Sequence, residues 1–292
     1  MNAPQKNIVS IVIPNKNRSD DLIRCLESIK KQRCRDYEII IVDDFSKRKE
    51  IYGHPLLREL SVRVIDNTGP RGAAAAKNIG AKASRGAWMM FLDSDSELFD
   101  ENVIDNVIEI MGQDSQIGAV GGDVERRDGG EYDLPLRTIS LQTGEIRRIF
   151  GGWRNIRRET EFLSTCNMTT RKNLFDRLGG FEEIFQTYYE DTDFCLRLRK
   201  LGYKIVMDSK TLAIHHRSQE GRRSSKTNFL IARNRMLFII LHGQIKDFLL
   251  LPLREGKRLM QACSCFFWVV ISLIWNLVRM PFLRRIKKRR NR

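Results

Sequence analysis

Short apolar runs alternate with helical patterns over the first third of the chain. Four runs have the length and composition of buried strands, at 8–13, 37–42, 62–65 and 88–92. The first should end at Pro14, and Ser19 or Asp20 should cap a helix whose apolar residues recur at helical spacing over 22–30. Residues 72–84, with four consecutive alanines, favour a helix packed closely on a sheet. The alternation predicts right-handed β-α-β crossovers and an α/β fold with a largely parallel sheet.

The same alternation returns later in the chain, after a less regular region. Residues 123–160 mix glycine, arginine and acidic residues, and we expect an irregular insertion there that contains a hairpin. The patterns beyond it predict a strand at 162–170, a helix at 172–178 before Gly179-Gly180, a helix at 193–201 before Gly202, a strand at 203–207, and a strand at 212–214 that leads into His215-His216.

Polar side chains gather where the predicted strands end. Asn15 follows the first strand, Asp43 and Asp44 follow the second, and Asp93 and Asp95 follow the fourth. In open parallel sheets, ligands bind beyond the carboxyl ends of the strands. The sequence therefore predicts a ligand site at this edge of the sheet.

Asp93 and Asp95 are separated by a single residue. If the backbone stays extended through Asp95, both side chains point to the same side. A hard divalent cation with oxygen ligands would relieve their repulsion, and Mg2+ usually brings substrate phosphates with it. The alternative is a solvated turn that ends the strand, because Asp and Ser are common turn residues.

Two familiar phosphate-binding patterns are missing from the sequence. There is neither a GxGxxG nor a Walker motif, which disfavours a Rossmann dinucleotide site and a P-loop. Gly72 and the Gly179-Gly180 pair are better explained as positions of permissive backbone than as phosphate cradles.

The positive charge is concentrated at the C-terminus. The 292 residues carry a formal net charge of +15, and beyond Glu255 there are no acidic residues but many Lys and Arg. The basic character therefore says little about the rest of the protein. The uncharged stretch 259–278 precedes this basic tail and approaches the length of a membrane-spanning helix. We expect an interfacial helix or hairpin on an anionic membrane, with a true span or a buried core helix as alternatives.

The six cysteines form neither a Cys-x-x-Cys pair nor a cluster with histidine at zinc spacing. Scattered single cysteines are typical of a reducing compartment. The first residues lack the apolar segment of a signal peptide. We therefore expect the folded part of the chain to lie at the cytoplasmic face of the cell membrane.

An ordered series of motifs over about 8–235 resembles family 2 glycosyltransferases, in particular bacterial rhamnosyl- and glucosyl-type enzymes of glycan biosynthesis. The matching pieces lie at 9–14, 22–29, 41–46, 72–80, 91–95, 179–185, 190–197, His215 and Arg233-Asn234. Each piece is weak alone, and their order makes the set specific. The resemblance implies a GT-A nucleotide-sugar-binding fold and an inverting transferase.

The resemblance also implies residues that hold the donor nucleotide and a metal ion. Asp44 would accept the imide proton of uracil or thymine, although a turn-capping role is the alternative, and Asp43 would be structural. Other donor contacts would come from the loop after the first strand and from two basic residues: Pro14, Asn15, Arg18, Lys77 and Arg233. Asp95 would bind Mg2+ or Mn2+ directly, and Asp93 would contact the ribose or reach the ion through water.

Glu190 and Asp191 match the catalytic acidic pair of the family. Asp191 would be the general base, Glu190 would orient it or the acceptor, and Asp193 would cap the helix. Acidic residues also favour helix N-termini for electrostatic reasons alone. His215 would be a further metal ligand, with His216 or a purely structural histidine as alternatives.

A basic loop completes the predicted site. Arg222 and Arg223 are candidate phosphate contacts in this loop, and the alternative is a solvated basic segment.

These observations predict an enzyme that transfers a sugar from a UDP- or dTDP-sugar to a hydroxyl of a glycan or lipid-linked acceptor. The predicted domains are a glycosyltransferase domain at 1–242, with halves at 1–96 and 97–242, and a membrane-associating segment at 243–292. Residues 123–160 would select the acceptor. The alternatives are a non-catalytic membrane-bound nucleotide- or glycan-binding protein and a metal-dependent nucleotidyltransferase. A nucleic-acid partner is disfavoured because the basic residues flank an apolar stretch instead of interleaving with stacking aromatics.

Overall fold

The computed structural model describes residues 9–47, 49–126, 132–151, 155–216, 225–244, 247, 275, 276 and 279. The chain forms two compact units. The first contains the described residues of 1–137, 148–186 and 190–220, and the second those of 138–147, 187–189 and 221–292.

Strands and helices alternate along the described chain. The helices are α1 (Ser19–Lys30), α2 (Pro55–Glu59), α3 (Ala73–Ala83), α4 (Val103–Gln113), α5 (Lys172–Leu178), α6 (Glu190–Lys200) and α7 (Ser225–His242). The strands are β1 (Val9–Asn15), β2 (Tyr37–Asp43), β3 (Arg63–Asp66), β4 (Trp88–Leu92), β5 (Ser96–Leu98), β6 (Ile117–Gly121), β7 (Asp123–Arg126), β8 (Tyr132–Ile139), β9 (Ile146–Gly151), β10 (Arg157–Glu159), β11 (Asn167–Arg171), β12 (Lys204–Asp208) and β13 (Ala213–His215).

An eight-stranded sheet with the order β10-β12-β6-β11-β4-β1-β2-β3 forms the centre of the first unit. β1 pairs in parallel with β2 and β4, β2 with β3, and β6 with β12. β11 runs antiparallel to both of its neighbours, and β10 is antiparallel to β12. The predicted α/β fold with a mainly parallel sheet is confirmed.

Helix α3 lies very close to this sheet, as its alanines predicted. A Cβ atom added at Gly80 would lie 2.3 Å from Val12 Cγ1 and 3.3 Å from Val42 Cγ2. Because overpacking of this kind strains a well-packed core, the small residues of α3 set how near the helix can lie to β1 and β2.

The region 123–160 contains more regular structure than its composition suggested. A five-stranded sheet has the order β5-β13-β7-β8-β9, and four of the thirteen strands begin within this region. The neighbouring strands β8 and β9 are joined by a short connection, which confirms the predicted hairpin.

The first strand does not end at Pro14 but runs on to Asn15. The Asn15 carbonyl accepts a hydrogen bond from Asp44 N–H on the β2 side, so the backbone of Pro14 faces the β4 side. The ladder with β4 ends at Val12. The missing N–H of Pro14 therefore interrupts no ladder hydrogen bond, which is where a strand tolerates proline.

Three predicted element boundaries were also wrong. Arg18 occupies the N-cap position of α1 and no side chain caps the helix there, so the prediction of a Ser19 or Asp20 cap fails. The strand predicted from 162 begins only at Asn167, and α6 begins at Glu190 instead of 193.

An aromatic cluster fixes α5 and α6 against the central sheet. Phe91 of β4, Phe175 of α5, Phe194 of α6 and the intervening Phe181 pack with ring centroids 4.9 to 5.3 Å apart. Aromatic pairs at this spacing add to the free energy of burial. The cluster therefore holds the start of α6 at a defined position relative to the end of β4.

The predicted membrane-associating segment at 243–292 lies almost entirely outside the described residues. Among the residues that the structure does describe, no helix combines the length and the apolar character needed to cross a membrane.

Candidate functional site

The turn after β4 and the end of β13 bring Asp93, Asp95 and His215 together. The chain turns immediately after β4, where Ser96 N–H donates to the Asp93 carbonyl at 2.9 Å. β13 pairs antiparallel with β5, which places His215 opposite Ser96. The potential ligand atoms of the three residues all lie within 4.8 Å of one another. We call these residues the Asp–Asp–His triad.

The backbone conformation that we predicted for Asp93 and Asp95 was wrong. Asp93 and Asp95 do not lie in an extended segment, because β4 ends before Asp93 and Asp95 belongs to the turn. The carboxylates converge because the turn folds back toward β13. Turn residues and a candidate ligand set, which the sequence offered as alternatives, are here the same residues.

The triad has the chemistry of a divalent-cation site. Carboxylate oxygens suit Mg2+ and Mn2+, and an imidazole nitrogen is a common further ligand of transition metals. The fully buried Asp95 carboxylate lies 3.0 Å from Arg18 Nη1 and 3.5 Å from His215 Nε2. Its charge is thus balanced by Arg18 in this structure, and the three residues fit a divalent ion.

Of the two adjacent histidines, His215 is the one that the structure places at the aspartates. His216 Nε2 lies 3.0 Å from Glu97 Oε2 instead. Successive side chains of a strand point in opposite directions, so the end of β13 presents the two imidazoles to different partners.

Lys77 joins the triad to the acidic pair, Glu190 and Asp191. Its side chain is buried at 2% exposure. The ammonium nitrogen lies 3.5 Å from Asp93 Oδ1 and 3.3 Å from Glu190 Oε1, and it also donates to Thr165 Oγ1. Burial by itself lowers the pKa of Lys77, but Asp93 and Glu190 raise that pKa above its usual value. Lys77 is therefore a permanent cation at the centre of the site.

Burial raises the pKa values of both members of the acidic pair. Burial raises the pKa of Glu190 to about 7, against the opposing effect of Lys77. The pKa of Asp191 is raised as well, although Lys77 and hydrogen bonds from Thr192 oppose the shift. Asp191 Oδ1 accepts from the Thr192 N–H at 2.7 Å. A carboxylate with a raised pKa is suited to proton transfer near neutral pH.

Asp193, which the sequence predicted as a helix cap, makes an ion pair instead. Its Oδ2 lies 2.9 Å from Arg197 one turn later, and the Arg197 guanidinium also donates to the carbonyls of Leu178 and Gly180. Asp193 therefore ties α6 to the end of α5.

Sequence reasoning missed a buried ion pair beside the triad. Asp123 and Arg137 form two hydrogen bonds of 2.6 Å each. Burial opposes the ionisation of Asp123, but Arg137 holds the pKa of Asp123 below its usual value. Asp123, Cys166 and His215 also have potential ligand atoms within 4.8 Å of one another. The available signal was the position of Asp123 just beyond the apolar strand β6, the same kind of strand end that identified the other aspartates.

The predicted nucleotide residues lie at the ends of β1 and β2. The Asp44 carboxylate accepts from Asn67 Nδ2 at 2.8 Å and from Gly72 N–H at 3.2 Å. Asn15 and Pro14 belong to β1 and not to the following loop, and Asn15 Nδ2 donates to the Tyr52 hydroxyl at 3.0 Å. The hydrogen bonds from Asn67 and Gly72 fix the orientation of the Asp44 carboxylate.

Asp43 is tied into the fold by Tyr52 and Ser46. The Tyr52 hydroxyl donates to Asp43 Oδ1 at 2.5 Å, and Ser46 N–H donates to its Oδ2 at 3.2 Å. These contacts agree with the structural role that the sequence suggested.

Gly72 joins the Asp44 turn to the segment that precedes α6. Its φ of +125° is a conformation that favours glycine, and an added Cβ would lie 2.7 Å from the Gln186 carbonyl oxygen. Ala74 N–H donates to the same oxygen at 2.9 Å. Gln186 itself has a φ of 63°. Strained backbone of this kind often accompanies functional sites.

In the second unit, Arg233 is buried in aromatic surroundings. Its guanidinium lies 4.7 Å from the Trp275 ring centroid, and its Nε donates to Asn234 Oδ1 at 2.8 Å. Burial lowers the pKa of Arg233 to about 10, with a smaller contribution from Arg279. Arg222 and Arg223, the other predicted phosphate contacts, lie outside the described residues.

Asn234 anchors the short connection before α6 within the same unit. Its Nδ2 donates to the carbonyls of Thr187 and Tyr188 at 2.8 Å each. Tyr188 and Tyr189 both have positive φ angles, of 70° and 72°. The hydrogen bonds from Asn234 compensate for the backbone strain in this connection.

The chain is similar to proteins of known families in sequence and in structure. The model of the family described as "Glycosyl transferase family 2" matches residues 10–179. The chain is 30% identical over 230 residues to the O-antigen biosynthesis protein RfbC of Myxococcus xanthus, which covers 73% of this chain and 18% of that protein. It is 26% identical over 216 residues to the amylovoran biosynthesis glycosyltransferase AmsB of Erwinia amylovora, which covers 71% of this chain and 69% of that protein.

A solved structure with the same fold is GalNAc-T7 with UDP, GalNAc and Mn2+. It superimposes with a TM-score of 0.64 and 19% identity, over 92% of this chain and 57% of that one. At this identity the likeness establishes a GT-A-like fold alone. The family match covers more than half of the chain, and the chain belongs to glycosyl transferase family 2, a family of transferase enzymes.

Proposed function

We propose that this chain is an inverting glycosyltransferase that moves a sugar from a UDP- or dTDP-linked donor to a hydroxyl of a glycan or lipid-linked acceptor. The observation that carries the proposal is the position of Lys77. Its ammonium contacts Asp93 of the triad and Glu190 of the acidic pair. A candidate cation site and a candidate proton acceptor therefore belong to one site, as displacement of a diphosphate by a hydroxyl requires.

Asp93, Asp95 and His215 would hold Mg2+ or Mn2+. When bound there, the ion supplies positive charge that stabilises the departing diphosphate. The family membership and the Mn2+ named with GalNAc-T7 support this assignment. Arg18, which now pairs with Asp95, would contact the donor once that carboxylate has another partner.

Asp191 would accept the proton of the acceptor hydroxyl. The hydroxyl oxygen forms a bond to the anomeric carbon, the bond from that carbon to the diphosphate oxygen breaks, and the nucleoside diphosphate leaves on the opposite face. Attack from the face opposite the departing diphosphate inverts the anomeric configuration. The raised pKa of Asp191 supports this role, because a stronger base accepts the proton more readily near neutral pH. Glu190 would orient Asp191 or the acceptor.

Asp44 would select a pyrimidine nucleotide. Uracil and thymine both carry an imide N–H that a carboxylate can accept. Asn67 and Gly72 hold the Asp44 carboxylate in place, so little ordering of this side chain is required on binding. Pro14 and Asn15 lie at the neighbouring end of β1 and would line the same pocket.

The acceptor and the location of the enzyme are inferred from the named relatives and from the C-terminal sequence. The relatives named for O-antigen and amylovoran biosynthesis favour a polysaccharide or its lipid-linked precursor as acceptor. Residues 123–160 would select that acceptor. Residues 1–242 would form the transferase domain, and 243–292 would hold it at an anionic cytoplasmic membrane face, since basic residues flank an apolar stretch there.

Donor hydrolysis tests the proposal. The purified protein is incubated with a panel of UDP- and dTDP-sugars and Mn2+ or Mg2+, and released nucleoside diphosphate is measured with and without EDTA. We expect release from one donor that EDTA abolishes. Asp95→Asn should lose this release, whereas Asp176→Asn, an exposed carboxylate on α5, should retain it.

Two other outcomes would change the assignment. Tight donor binding by calorimetry without turnover, even with a panel of acceptors, would favour a nucleotide-binding protein on the same fold. Neither binding nor turnover of any donor would refute the glycosyltransferase proposal.

A further inference from the structure

Lys77 differs from Arg18, the other cationic side chain beside the triad aspartates, because its ammonium is almost completely buried. Its exposure is 2%, whereas the Arg18 side chain at the same triad is 19% exposed. Moving an ammonium group out of water costs several kcal/mol unless carboxylates and hydrogen bonds compensate. Compensation comes from Asp93, Glu190 and Thr165, which lie on three separate segments of the chain.

These partners leave the ammonium little spare hydrogen-bonding capacity, since Thr165 and Glu190 accept hydrogen bonds and Asp93 forms an ion pair at 3.5 Å. A lysine has three N–H donors and no acceptor. Lys77 has three oxygen partners in the structure, from Thr165, Glu190 and Asp93. A direct contact with a donor phosphate would require the ammonium to give up one of them. The geometry therefore points away from the nucleotide contact that the sequence suggested for Lys77.

We infer that Lys77 is a positioning residue whose fixed charge is shared between Asp93 and Glu190, and that it shifts toward Glu190 when a divalent cation takes Asp93. The inference rests on the proposed function, because it assumes that the triad binds such a cation. Two cations near one carboxylate repel each other, so Lys77 and the metal ion compete for Asp93. Since Lys77 is buried, its remaining partners are Glu190 and Thr165.

The consequence is a link between metal binding and the acidic pair. Ion binding at the triad strengthens the pairing of Lys77 with Glu190, which holds Glu190 beside the proposed base, Asp191. By thermodynamic reciprocity, any change that weakens the pairing of Lys77 with Glu190 must weaken metal binding at Asp93. A residue that only filled space would not produce this reciprocal effect.

The test is the affinity for Mn2+ alone, measured from free Mn2+ by electron paramagnetic resonance at about pH 8.5, where Glu190 is ionised. Lys77→Met should bind Mn2+ several-fold more tightly, because the competing cation is gone. Glu190→Gln should bind it several-fold more weakly, although Glu190 is not a ligand, because Lys77 then pairs with Asp93 alone. Glu183→Gln removes an exposed carboxylate from the segment before α6, and its affinity for Mn2+ should match that of the wild type.

Kinetics with the donor provide the second measurement. Lys77→Met should lower kcat about 10- to 100-fold with little change in the donor KM, as expected for a partner of functional carboxylates. Lys77→Arg, which keeps the charge, should recover most of the loss. A raised donor KM with unchanged kcat would show that Lys77 contacts the nucleotide and would overturn the inference.

The outcomes separate this inference from the proposed function. If the wild type binds no Mn2+ and turns over no donor, the proposed function fails. If the wild type binds Mn2+ but Glu190→Gln binds it equally well or more tightly, only the inference about Lys77 fails. The Glu190 variant decides the question even if Lys77→Met does not fold.

Discussion

The aspartates after β4 and the acidic pair at the start of α6 are linked by the Lys77 ammonium, which contacts Asp93 and Glu190, but they lie in different surroundings. The Asp93 side chain is 26% exposed, whereas that of Glu190 is 4% exposed. Asp95 is buried and pairs with Arg18. Glu190 and Asp191 depend on Lys77 and hydrogen bonds against a strong effect of burial.

In the proposed assignment, one fold gives carboxylates two different tasks. The aspartates of the triad have Arg18 and Lys77 as cationic partners and would bind a metal ion. Burial raises the pKa values of Glu190 and Asp191 despite Lys77, and environments that differ in this way can separate acid–base roles. The difference arises from the supporting side chains and not from the type of acid.

The largest expected effect comes from neutralising the proposed base. Asp191→Asn should lower kcat for sugar transfer about 10³-fold, because general base catalysis contributes on that order. Mn2+ affinity should stay within about twofold of the wild type, since the ion pair of Lys77 with Glu190 remains. Transfer kinetics and Mn2+ titration on the same preparation check both statements, with Asp176→Asn as the matched control. Loss of Mn2+ binding in Asp191→Asn would show that the two groups of carboxylates are not distinct.

The second effect is the pH dependence of kcat. The base acts when it is ionised, and burial raises the pKa values of the coupled pair, with Glu190 at about 7. The rate should therefore begin to fall at a higher pH than the usual carboxyl range near 4, and below the pKa of the base it should fall by roughly tenfold per unit.

Glu190→Gln provides the control for the pH profile. The loss of a neighbouring negative charge should move the fall in rate to lower pH. A wild-type rate that is constant down to about pH 5 would contradict the assignment of a buried base with a raised pKa.

The smallest effect concerns Arg18 on the metal side. Arg18→Gln removes a cation that pairs with Asp95, so Mn2+ affinity in the absence of nucleotide should rise by about two- to fivefold. UDP affinity should fall if Arg18 moves to the donor phosphates, as proposed. Calorimetric titrations of each ligand separate these effects. Weaker binding of Mn2+ alone would mean that Arg18 supports the triad instead of competing for it.

The sequence was sufficient for the elements whose signal is local. β4 and α5 have the predicted bounds, because a continuous apolar run and a following glycine pair determine them. The strand-end argument also placed Asp44 and Asp93 at one edge of the sheet, because parallel strands present their carboxyl ends together.

Contacts between segments that are far apart in the chain could not be predicted from the sequence. Thr165 is 88 residues from Lys77, and neither periodicity nor composition connects them. Asp123 was not predicted as a site residue because the preceding strand β6, Ile-Gly-Ala-Val-Gly, has two glycines and therefore a weak strand signal. Helix α4 differs from these cases. Its buried residues at 103, 104, 107, 110 and 111 follow helical spacing, so the sequence contains a signal for a helix that our predictions omitted.

The contact between Gly72 and Gln186 has a consequence for engineering donor selectivity. Gly72 N–H holds the Asp44 carboxylate, and the same residue lies against the Gln186 carbonyl, four positions before Glu190. If residues 67–72 were replaced by a loop from a relative, the backbone angles of the new loop would differ at the contact with Gln186. This difference would displace the segment that leads to α6. If Asp44 binds the donor and Asp191 is the base, as proposed, grafts that aim to exchange one nucleotide-sugar for another should include residue 186 and its neighbours, so that the alignment of the base is kept.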